Sequence, residues 1–546
     1  MKLSYINKAM VAVVLMAATL LTSCLGKLDL DPIDPNDKTD IETEEEFFQY
    51  LVKLYAGLAN TGQGGQGSAG GDLGGGDEGA TQYWRVFWNA QEFPTDEVVN
   101  TWTDEGAPQM TFMTWSANNP FVLGLYNRIY YQISATNEFL RQARNAPETY
   151  EDLPLWKAEA RFLRAFSYWH ALDFFGNKVP FVTEEDPIGK FFPNPAGADE
   201  RGVELFTFIE SELKAIVGDG ENKEEVLPAA KSAWLGRADK GAAYMVLAKL
   251  YLNHEVYLGS QNAAYYEAGR TYLNKMIAEG GYSLYNQSGT ENGYHSTAYQ
   301  RLFLADNERT NSEVIFMIMS DGLTMTHWGG TTYMIAAATG GDMNAAEMGI
   351  NSGWEGNRTT KVMYERFDDN NAGDRAIFAK EDEGQSLEID AYEHFKQGYG
   401  VKKWKNVKQN GENGNNNEGV FCATNIPVFR LADAYLMLAE FDLRISGAVT
   451  ATSQGLVNQV RARSNAKAHN GSWNYDFLLE ERNRELYWEG HRRTDLIRFG
   501  KFTQGMSWPF KGGSKEGTDV ANHFALYPIP AADLGANPNL TQNQGY

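Results

Sequence analysis

The segment "LEERNRELYWEGHRRTDLIRFGKF", residues 479–502, combines five arginines with five acidic residues. Oppositely charged residues stabilise a helix when they stand three or four positions apart. Three pairs have this spacing: Glu480 with Arg484, Arg482 with Glu485, and Glu489 with Arg493. We interpret the segment as a structural brace of mutually neutralised charges, with Gly490 ending a first helix. A catalytic role would need a nucleophile or metal ligand beside His491 or Glu489, and no such spacing is present.

Length and charge restrict the class of protein. The chain has 546 residues, enough to bury one large core or roughly two to three smaller ones. Its formal net charge is −23 at pH 7. Binding to nucleic acid depends on clustered Lys and Arg side chains that displace counterions from phosphates. The charge therefore argues against a nucleic-acid partner.

The N-terminus has the features of an export signal. Two lysines, Lys2 and Lys8, precede the apolar run "AMVAVVLMAATLL", which is shorter than the roughly 20 residues that span a bilayer. The run leads into "LTSC", residues 21–24, which resembles the lipobox of bacterial lipoproteins. We predict that residues 1–23 are a lipoprotein signal peptide and that lipid on Cys24 anchors the mature chain to the membrane. The alternative is an ordinary cleaved signal peptide followed by an incidental cysteine.

Cysteine content and motifs exclude several kinds of site. After Cys24 the remaining cysteine is Cys422, so neither a disulfide framework nor a cysteine-based metal site can form. The sequence contains no phosphate-binding loop, His-Glu zinc motif or Gly-x-Ser-x-Gly elbow. We therefore predict no catalytic residues and no metal or other cofactor. Calcium is an alternative, because "GGDLGGGDEG" (70–79) partly mimics a glycine-aspartate repeat but lacks its nine-residue period.

Most of the chain has the periodicity of helices. Apolar residues recur every three or four positions, as on a buried helix face, in six segments. The segments are "EEEFFQYLVKLYAGLAN", "NPFVLGLYNRIYYQISATNEFLRQA", "LPLWKAEARFLRAFSYWHALDFFG", "KGAAYMVLAKLYLNHEVYL", "AAYYEAGRTYLNKMIAEG" and "FRLADAYLMLAEFDLRI". Small and tyrosine residues follow the spacing of tetratricopeptide helix pairs in three places: Gly241 with Tyr244, Ala268 with Tyr272, and Ala432 with Tyr435. An unrelated helical bundle is the alternative.

These patterns predict a mainly α fold built on tetratricopeptide-like helix pairs. The pairs form a helical frame, mainly over residues 40–60, 118–282 and 428–505. Two loop-rich regions, 61–117 and 283–427, interrupt the frame. The first begins with a glycine-rich stretch that is unable to hold a packed core, and the second carries short strands such as "EVIFMIM". Loops of this length in a compact protein are usually functional.

Several longer motifs resemble one family in their sequence and order. The opening segment is similar to the "LEER..E...EGHRR.DL.R.GK" element of the SusD/RagB family, the glycan-binding outer-membrane lipoproteins of Bacteroidetes. The other matching elements, together with the lipobox, are "EFPTDEVV" (92–99), "KAEARFLRAFSYWHALDFFGNKVPF" (157–181), "FRLADAYLMLAE" (429–440) and "YPIPAADLGANPNLTQNQGY" (527–546). They cover nearly the whole chain, so residues 24–546 are expected to form a single SusD-like domain.

The resemblance implies a function. Proteins of this family are anchored at the cell surface, in the outer membrane, through their lipid. They cap a TonB-dependent transporter of the SusC type, and they capture oligosaccharide or polysaccharide and pass it inward without cleaving it. The tetratricopeptide-like pairs would lie on one side and a loop-rich glycan-binding face on the other.

Candidate glycan-binding residues come from two regions. A sugar ring presents apolar C–H faces and hydroxyl edges, so its site needs exposed aromatic rings next to hydrogen-bonding side chains. The candidates in and near the two loop-rich regions are Tyr83, Trp84, Asp96, Trp102, Trp328, Tyr333, Trp354 and Arg358. At Trp102-Thr103 many relatives have an Arg-Gly pair, so stacking is expected to replace a polar contact there. For every aromatic the alternative is core packing, and Trp84 with Trp88 could form one apolar helix face.

Two other functions stay open at this stage. Paired carboxylates could meet in the fold from distant positions and make the chain a surface glycan-degrading enzyme. A structural or adhesive surface lipoprotein would have the same anchor without a sugar site.

Overall fold

The computed structural model describes residues 41–62, 71–73, 78–177, 179, 181–189, 191, 204–220, 225–368, 370–415 and 419–546. The predicted signal peptide and Cys24 lie outside the described residues. The chain divides into two units: the first ends at Glu46 and is described from Ile41, and the second is Phe47–Tyr546. The second unit contains every element that begins after residue 46.

The described residues are mainly helical, as predicted. The α-helices are α1 (Glu44–Ala56), α2 (Tyr83–Glu92), α3 (Ala107–Phe112), α4 (Pro120–Ala143), α5 (Leu153–Phe175), α6 (Leu205–Lys214), α7 (Lys240–Leu252), α8 (His254–Leu258), α9 (Ala263–Gly280), α10 (Ala298–Arg301), α11 (Gly330–Ala337), α12 (Lys361–Tyr364), α13 (Leu431–Ser446), α14 (Ala451–Arg463), α15 (Tyr475–Leu486), α16 (Arg492–Arg498) and α17 (Ala531–Ala536). Short 3-10 turns connect several of them.

The strands are short and pair two by two. They are β1 (Val99–Asn100), β2 (Gly289–Glu291), β3 (Tyr294–Ser296), β4 (Val314–Ile318), β5 (Asn357–Arg358), β6 (Phe378–Ala379), β7 (Gly400–Val401) and β8 (Ile426–Arg430). Each pair is antiparallel: β1 with β5, β2 with β3, β4 with β8, and β6 with β7. The strand predicted at "EVIFMIM" is therefore confirmed as β4, and its partner β8 leads directly into α13.

The long helices begin at capping side chains and pack in pairs. Asn119 Oδ1 accepts a hydrogen bond from Phe121 N at 2.9 Å at the start of α4, where Pro120 occupies the first turn. Asp239 caps α7 in the same way. The pairs α4 with α5, α7 with α9, and α13 with α14 are in contact. The predicted mainly α class with paired helices is thus confirmed.

Helix α5 lies deep in the core. Every side chain from Phe162 to Phe175 is buried, so this half of the helix has no polar stripe facing water. The ring of His170 lies between Phe87 and Phe166, with ring centroids 4.4 and 4.3 Å away. Burial lowers the pKa of His170 to about 3, so its imidazole is neutral at physiological pH.

The segment 479–502 is a largely buried brace, and most of its charged side chains have partners other than those predicted. Helix α15 ends at Leu486, four residues before Gly490, so Glu489 and Arg493 lie on different elements. Of the three spaced pairs, the structure contains Glu480 with Arg484, at 3.5 Å. The other side chains pair with residues far away in the sequence: Arg482 with Asp433, Glu485 with Arg430 and Arg463, Glu489 with Arg430 and Lys403, and Arg493 with Asp173. The pairings predicted for Arg482 with Glu485 and for Glu489 with Arg493 were wrong, because these four charges are buried and cross-link separate elements.

The loop-rich regions contain more helix than predicted. Helices α2 and α3 lie within 61–117, and α11 lies within 283–427. Every residue of α2 and α11 is buried. Helix α11 is surrounded by protein and has no alternation between apolar and polar faces, so the periodicity used to recognise helices is missing there.

Candidate functional site

A cavity of about 650 Å³ opens where the two predicted loop-rich regions meet α4. Its wall combines aromatic, apolar and polar residues: Leu73, Ala80, Thr81, Arg85, Asn89, Trp102, Asp104, Glu105, Pro120, Phe121, Leu123, Gly124, Asn127, Trp328 and Trp354. The ladder of β1 and β5 joins the chain just before Trp102 to the chain just after Trp354. Residues more than 200 positions apart therefore share one wall.

Three tryptophans lie in this wall, which also contains the aromatic residue Phe121. The rings of Trp328 and Trp354 have centroids 5.8 Å apart and planes inclined by 55°. Trp102 Nε1 donates a hydrogen bond to the carbonyl oxygen of Trp354 at 3.2 Å. All three side chains are partly exposed. The sequence named these three as candidates, and the structure brings them together on one cavity.

The polar part of the wall includes residues that the sequence did not indicate. Arg85 Nη1 donates to the carbonyl oxygen of Trp328 at 3.0 Å, and its guanidinium lies 4.4 Å from the ring centroid of Tyr333. Asn127 and Glu105 also line the cavity. The sequence contains one feature that could have indicated Arg85: it is the single charged residue in the otherwise apolar run "YWRVFW".

Asp96 and Arg358 were predicted to contact a glycan, and this prediction is corrected. Both side chains are buried. Asp96 accepts hydrogen bonds from Arg492 Nε and Nη2 at 2.7 and 2.9 Å and also pairs with Arg366. Burial would raise the pKa of Asp96, but the two guanidinium groups outweigh it and hold that pKa well below the usual range. Arg358 donates to the carbonyl oxygen of Val99 at 3.0 Å and so braces the β1–β5 ladder.

Tyr83, Trp84 and Tyr333 are also corrected from ligand contacts to core positions, because at most 2% of each is exposed. The hydroxyl of Tyr83 lies 2.9 Å from His170 Nδ1. Trp84 Nε1 donates to Met334 Sδ at 3.3 Å. These side chains satisfy their polar atoms inside the protein, where no ligand in the cavity can reach them.

His327 precedes Trp328 in the sequence, and its side chain is buried. Its Nδ1 accepts a hydrogen bond from Gly329 N at 3.2 Å. Burial lowers the pKa of His327 to about 4. The imidazole is therefore uncharged near neutral pH, and Arg85 is the cationic side chain among the described residues that line the cavity.

The part of the chain that the structure describes has neither a cluster of metal ligands nor a membrane-spanning helix. No group of three or more His, Cys, Asp or Glu side chains there is arranged to hold a metal ion. In the segment considered for calcium, Asp72 pairs with Arg128 and Glu78 accepts from Trp328 N, while Asp77 lies outside the described residues. No described helix combines the length and apolarity needed to cross a membrane.

Comparison with protein families gives two matches. A model of the SusD family matches residues 386–546. A second family model, described as starch-binding associating with outer membrane, matches residues 29–252. Trp102 lies in the second of these ranges, whereas Trp328 and Trp354 lie between the two.

Individual proteins are similar over longer stretches. The starch-binding protein SusD of Bacteroides thetaiotaomicron is 33% identical, and the alignment covers 100% of both chains. The SusD-like protein P25 of Formosa agariphila is 27% identical over 71% of this chain and 73% of its own. Among solved structures, surface glycan-binding protein A from Bacteroides thetaiotaomicron, in complex with laminarihexaose, has a TM-score of 0.67 at 18% identity, covering 91% of this chain and 99% of that one.

Proposed function

The chain belongs to the SusD family, and from this premise we propose that it is a glycan-binding protein of the bacterial cell surface that captures carbohydrate without hydrolysing it. Its ligand would be an oligosaccharide or a segment of a polysaccharide. The binding site would be the cavity lined by Trp102, Trp328 and Trp354.

The observation that carries this proposal is the partial exposure of three tryptophans on one cavity. Exposed indole faces can cover the apolar C–H face of a sugar ring, and neighbouring polar side chains can bind its hydroxyls. Asp104, Glu105 and Asn127 supply such groups on the same wall. A volume of about 650 Å³ is within the range of roughly 300–1,000 Å³ typical of ligand pockets.

The relative with a full-length alignment is named for starch binding, which supports a glycan as the ligand class. We further propose that lipid on Cys24 anchors the chain to the outer membrane, facing outward. There it would deliver captured glycan to a TonB-dependent transporter of the SusC type. Co-purification of such a transporter with the full-length chain from detergent-solubilised outer membranes would support the delivery step, and its absence at matched expression would contradict it.

One experiment tests binding against catalysis. The mature protein is run through native gels containing soluble starch, laminarin or other polysaccharides, and the same polysaccharides are incubated with it and assayed for new reducing ends. Retarded mobility without reducing-end release is the expected result. Release of reducing ends would favour a glycan-degrading enzyme, and absence of both effects across the panel would favour a structural or adhesive protein.

A further inference from the structure

We propose that Tyr333, which is buried and unable to reach a ligand, is a positioning residue that fixes Trp102 in the cavity wall through a chain of side-chain hydrogen bonds. The effect that we predict on glycan affinity rests on the proposed glycan-binding function. The structural part of the inference, the fixing of Trp102, can be tested without any ligand.

The chain of hydrogen bonds begins and ends at the cavity. The Tyr333 hydroxyl donates to Asn89 Oδ1 at 2.7 Å and accepts from Asn357 Nδ2 at 3.1 Å. Asn100 Nδ2 donates to Asn357 Oδ1 at 2.6 Å. Asn100 Oδ1 in turn accepts from the backbone N–H of Trp102 at 2.9 Å. Asn89 and Trp102 both line the cavity, so this series of hydrogen bonds connects two residues of the cavity wall.

Strand pairing sets the geometry of the central link. Asn100 of β1 and Asn357 of β5 are directly opposite one another in the two-residue ladder. Both side chains are buried, with 1% and 0% exposure. A buried amide group that loses its hydrogen-bond partner is unfavourable, so loss of any member of the series disturbs the side chains on either side of it. The ladder alone is short, and the side-chain bonds add to its few backbone bonds.

The ring of Tyr333 also supports the wall directly. Its centroid lies 6.0 Å from that of Trp102, and the Arg85 guanidinium lies over it at 4.4 Å. Gly356 also allows the backbone to approach the indole closely, because a Cβ there would lie 2.8 Å from Cζ2 of Trp102. Trp102 is thus held at its amide, at its Nε1 and at its ring. Such a pre-organised aromatic side chain loses little entropy when a ligand binds.

The substitution Tyr333→Phe removes the hydroxyl and keeps the ring. We expect affinity for maltohexaose or laminarihexaose, measured by isothermal titration calorimetry, to fall about tenfold. In the ligand-free protein, hydrogen exchange of the peptide covering 99–106 should become faster, because the Trp102 amide loses its fixed acceptor.

A matched control and a mutant cycle separate positioning from general destabilisation. Tyr299→Phe removes another buried hydroxyl, which donates to the Glu485 carbonyl oxygen at 2.7 Å away from the cavity. It should change neither the exchange of 99–106 nor the affinity. In a Trp102→Ala background, Tyr333→Phe should have no further effect on affinity, because the group it positions is gone.

Each outcome has a distinct meaning. Unchanged exchange of 99–106 in Tyr333→Phe overturns the inference whether or not a glycan binds. An equal loss of affinity with and without Trp102 also overturns it, since Tyr333 would then act by another route. If the wild-type protein binds neither oligosaccharide but exchange still becomes faster, the positioning role stands, and it is the glycan-binding proposal that loses support.

Discussion

Arg430 and Glu489 form a bidentate ion pair in the protein interior. Arg430 Nε donates to one carboxylate oxygen and Nη2 to the other, each at 2.7 Å. Glu489 also accepts from Lys403 Nζ at 2.7 Å, and Arg430 donates to Glu313 at 2.8 Å and to Glu485 at 3.0 Å. Parallel charge-assisted bonds fix orientation as well as distance. This cluster therefore joins the turn after α15 to β8, to the start of β4 and to the chain after β7.

The first prediction concerns another buried ion pair, Arg493 with Asp173. Arg493 lies 3.1 Å from Asp173 and also donates to the carbonyl oxygen of Ala525. Arg493→Ala leaves the buried Asp173 carboxylate without its cation, which typically costs about 3–5 kcal/mol. We expect a loss of this size in the free energy of unfolding, measured by urea denaturation.

Glycan affinity of the folded Arg493→Ala protein should be unchanged. The control is Arg141→Ala, which breaks a partly exposed pair with Glu138 and should cost at most about 0.5 kcal/mol. Unchanged stability of Arg493→Ala together with lost glycan binding would reverse its assignment from brace to site.

A second prediction concerns pH. Glu92 is fully buried and accepts from Gly490 N at 2.7 Å. Burial is the main cause that raises the pKa of Glu92 well above the ordinary 4.5, and the neighbouring carboxyl of Glu97 raises it further. A raised folded-state pKa contributes stability that is complete below pH 4.5 and is lost as pH rises through the folded-state value. Glu92→Gln is neutral at every pH and avoids this loss.

The measurement is the free energy of unfolding between pH 4.5 and 8. It should decline less with pH in Glu92→Gln than in the wild type, by up to about 1.4 kcal/mol per pH unit over the titration of one group. Glu148→Gln, at an exposed position, serves as the control and should follow the wild type. Parallel curves for Glu92→Gln and the wild type would show that Glu92 is already ionised in the folded protein.

The sequence predicts those features of the structure that depend on residues close together in the chain. Helix periodicity and strand composition are local, and they predicted the paired helices and β4. The partners of buried charges are not local: Asp96 looks like an exposed loop acid, yet its cations Arg366 and Arg492 are 270 and 396 positions away. The charge spacing predicted that 479–502 braces the fold, but not which residues most of its charges bind.

The candidate site shows the same division. Trp328 and Trp354 stand among glycines with few apolar neighbours, which indicated that they are not core residues, and both prove partly exposed. Tyr333 stands near them in the sequence but belongs to α11, which is buried on all sides. Its role became visible once the hydrogen bonds of its hydroxyl were known. That these tryptophans bind sugar remains a prediction.

Anchoring is tested at the N-terminus. Cys24→Ala removes the proposed lipid attachment site, and lipid would supply most of the affinity for the membrane. We expect the variant to fold normally and to leave the membrane fraction when cells without the transporter partner are fractionated. Retention of the variant in the membrane of such cells would contradict lipid anchoring at Cys24.

The last prediction concerns glycan capture itself. Trp328 and Trp354 make hydrogen bonds through their backbone atoms: Trp328 N donates to Glu78 at 2.9 Å and its carbonyl accepts from Arg85, while Trp354 N donates to the Ala336 carbonyl oxygen at 2.8 Å. Substitution by alanine keeps all of these bonds and removes only the indole. The melting temperature should therefore change little.

Affinity should change much more, because an aromatic anchor commonly contributes about 1.4–2.7 kcal/mol to binding, which is ten- to hundredfold in Kd. We expect this loss for Trp328→Ala and for Trp354→Ala in titrations with whichever glycan of the gel panel the wild type binds. Trp169→Ala is the control: its side chain is buried in α5, so it should lose about 3–5 kcal/mol of stability while the folded fraction keeps its affinity. Full affinity in both cavity variants would exclude these indoles as the platform and leave Trp102 as the tryptophan of the wall to test.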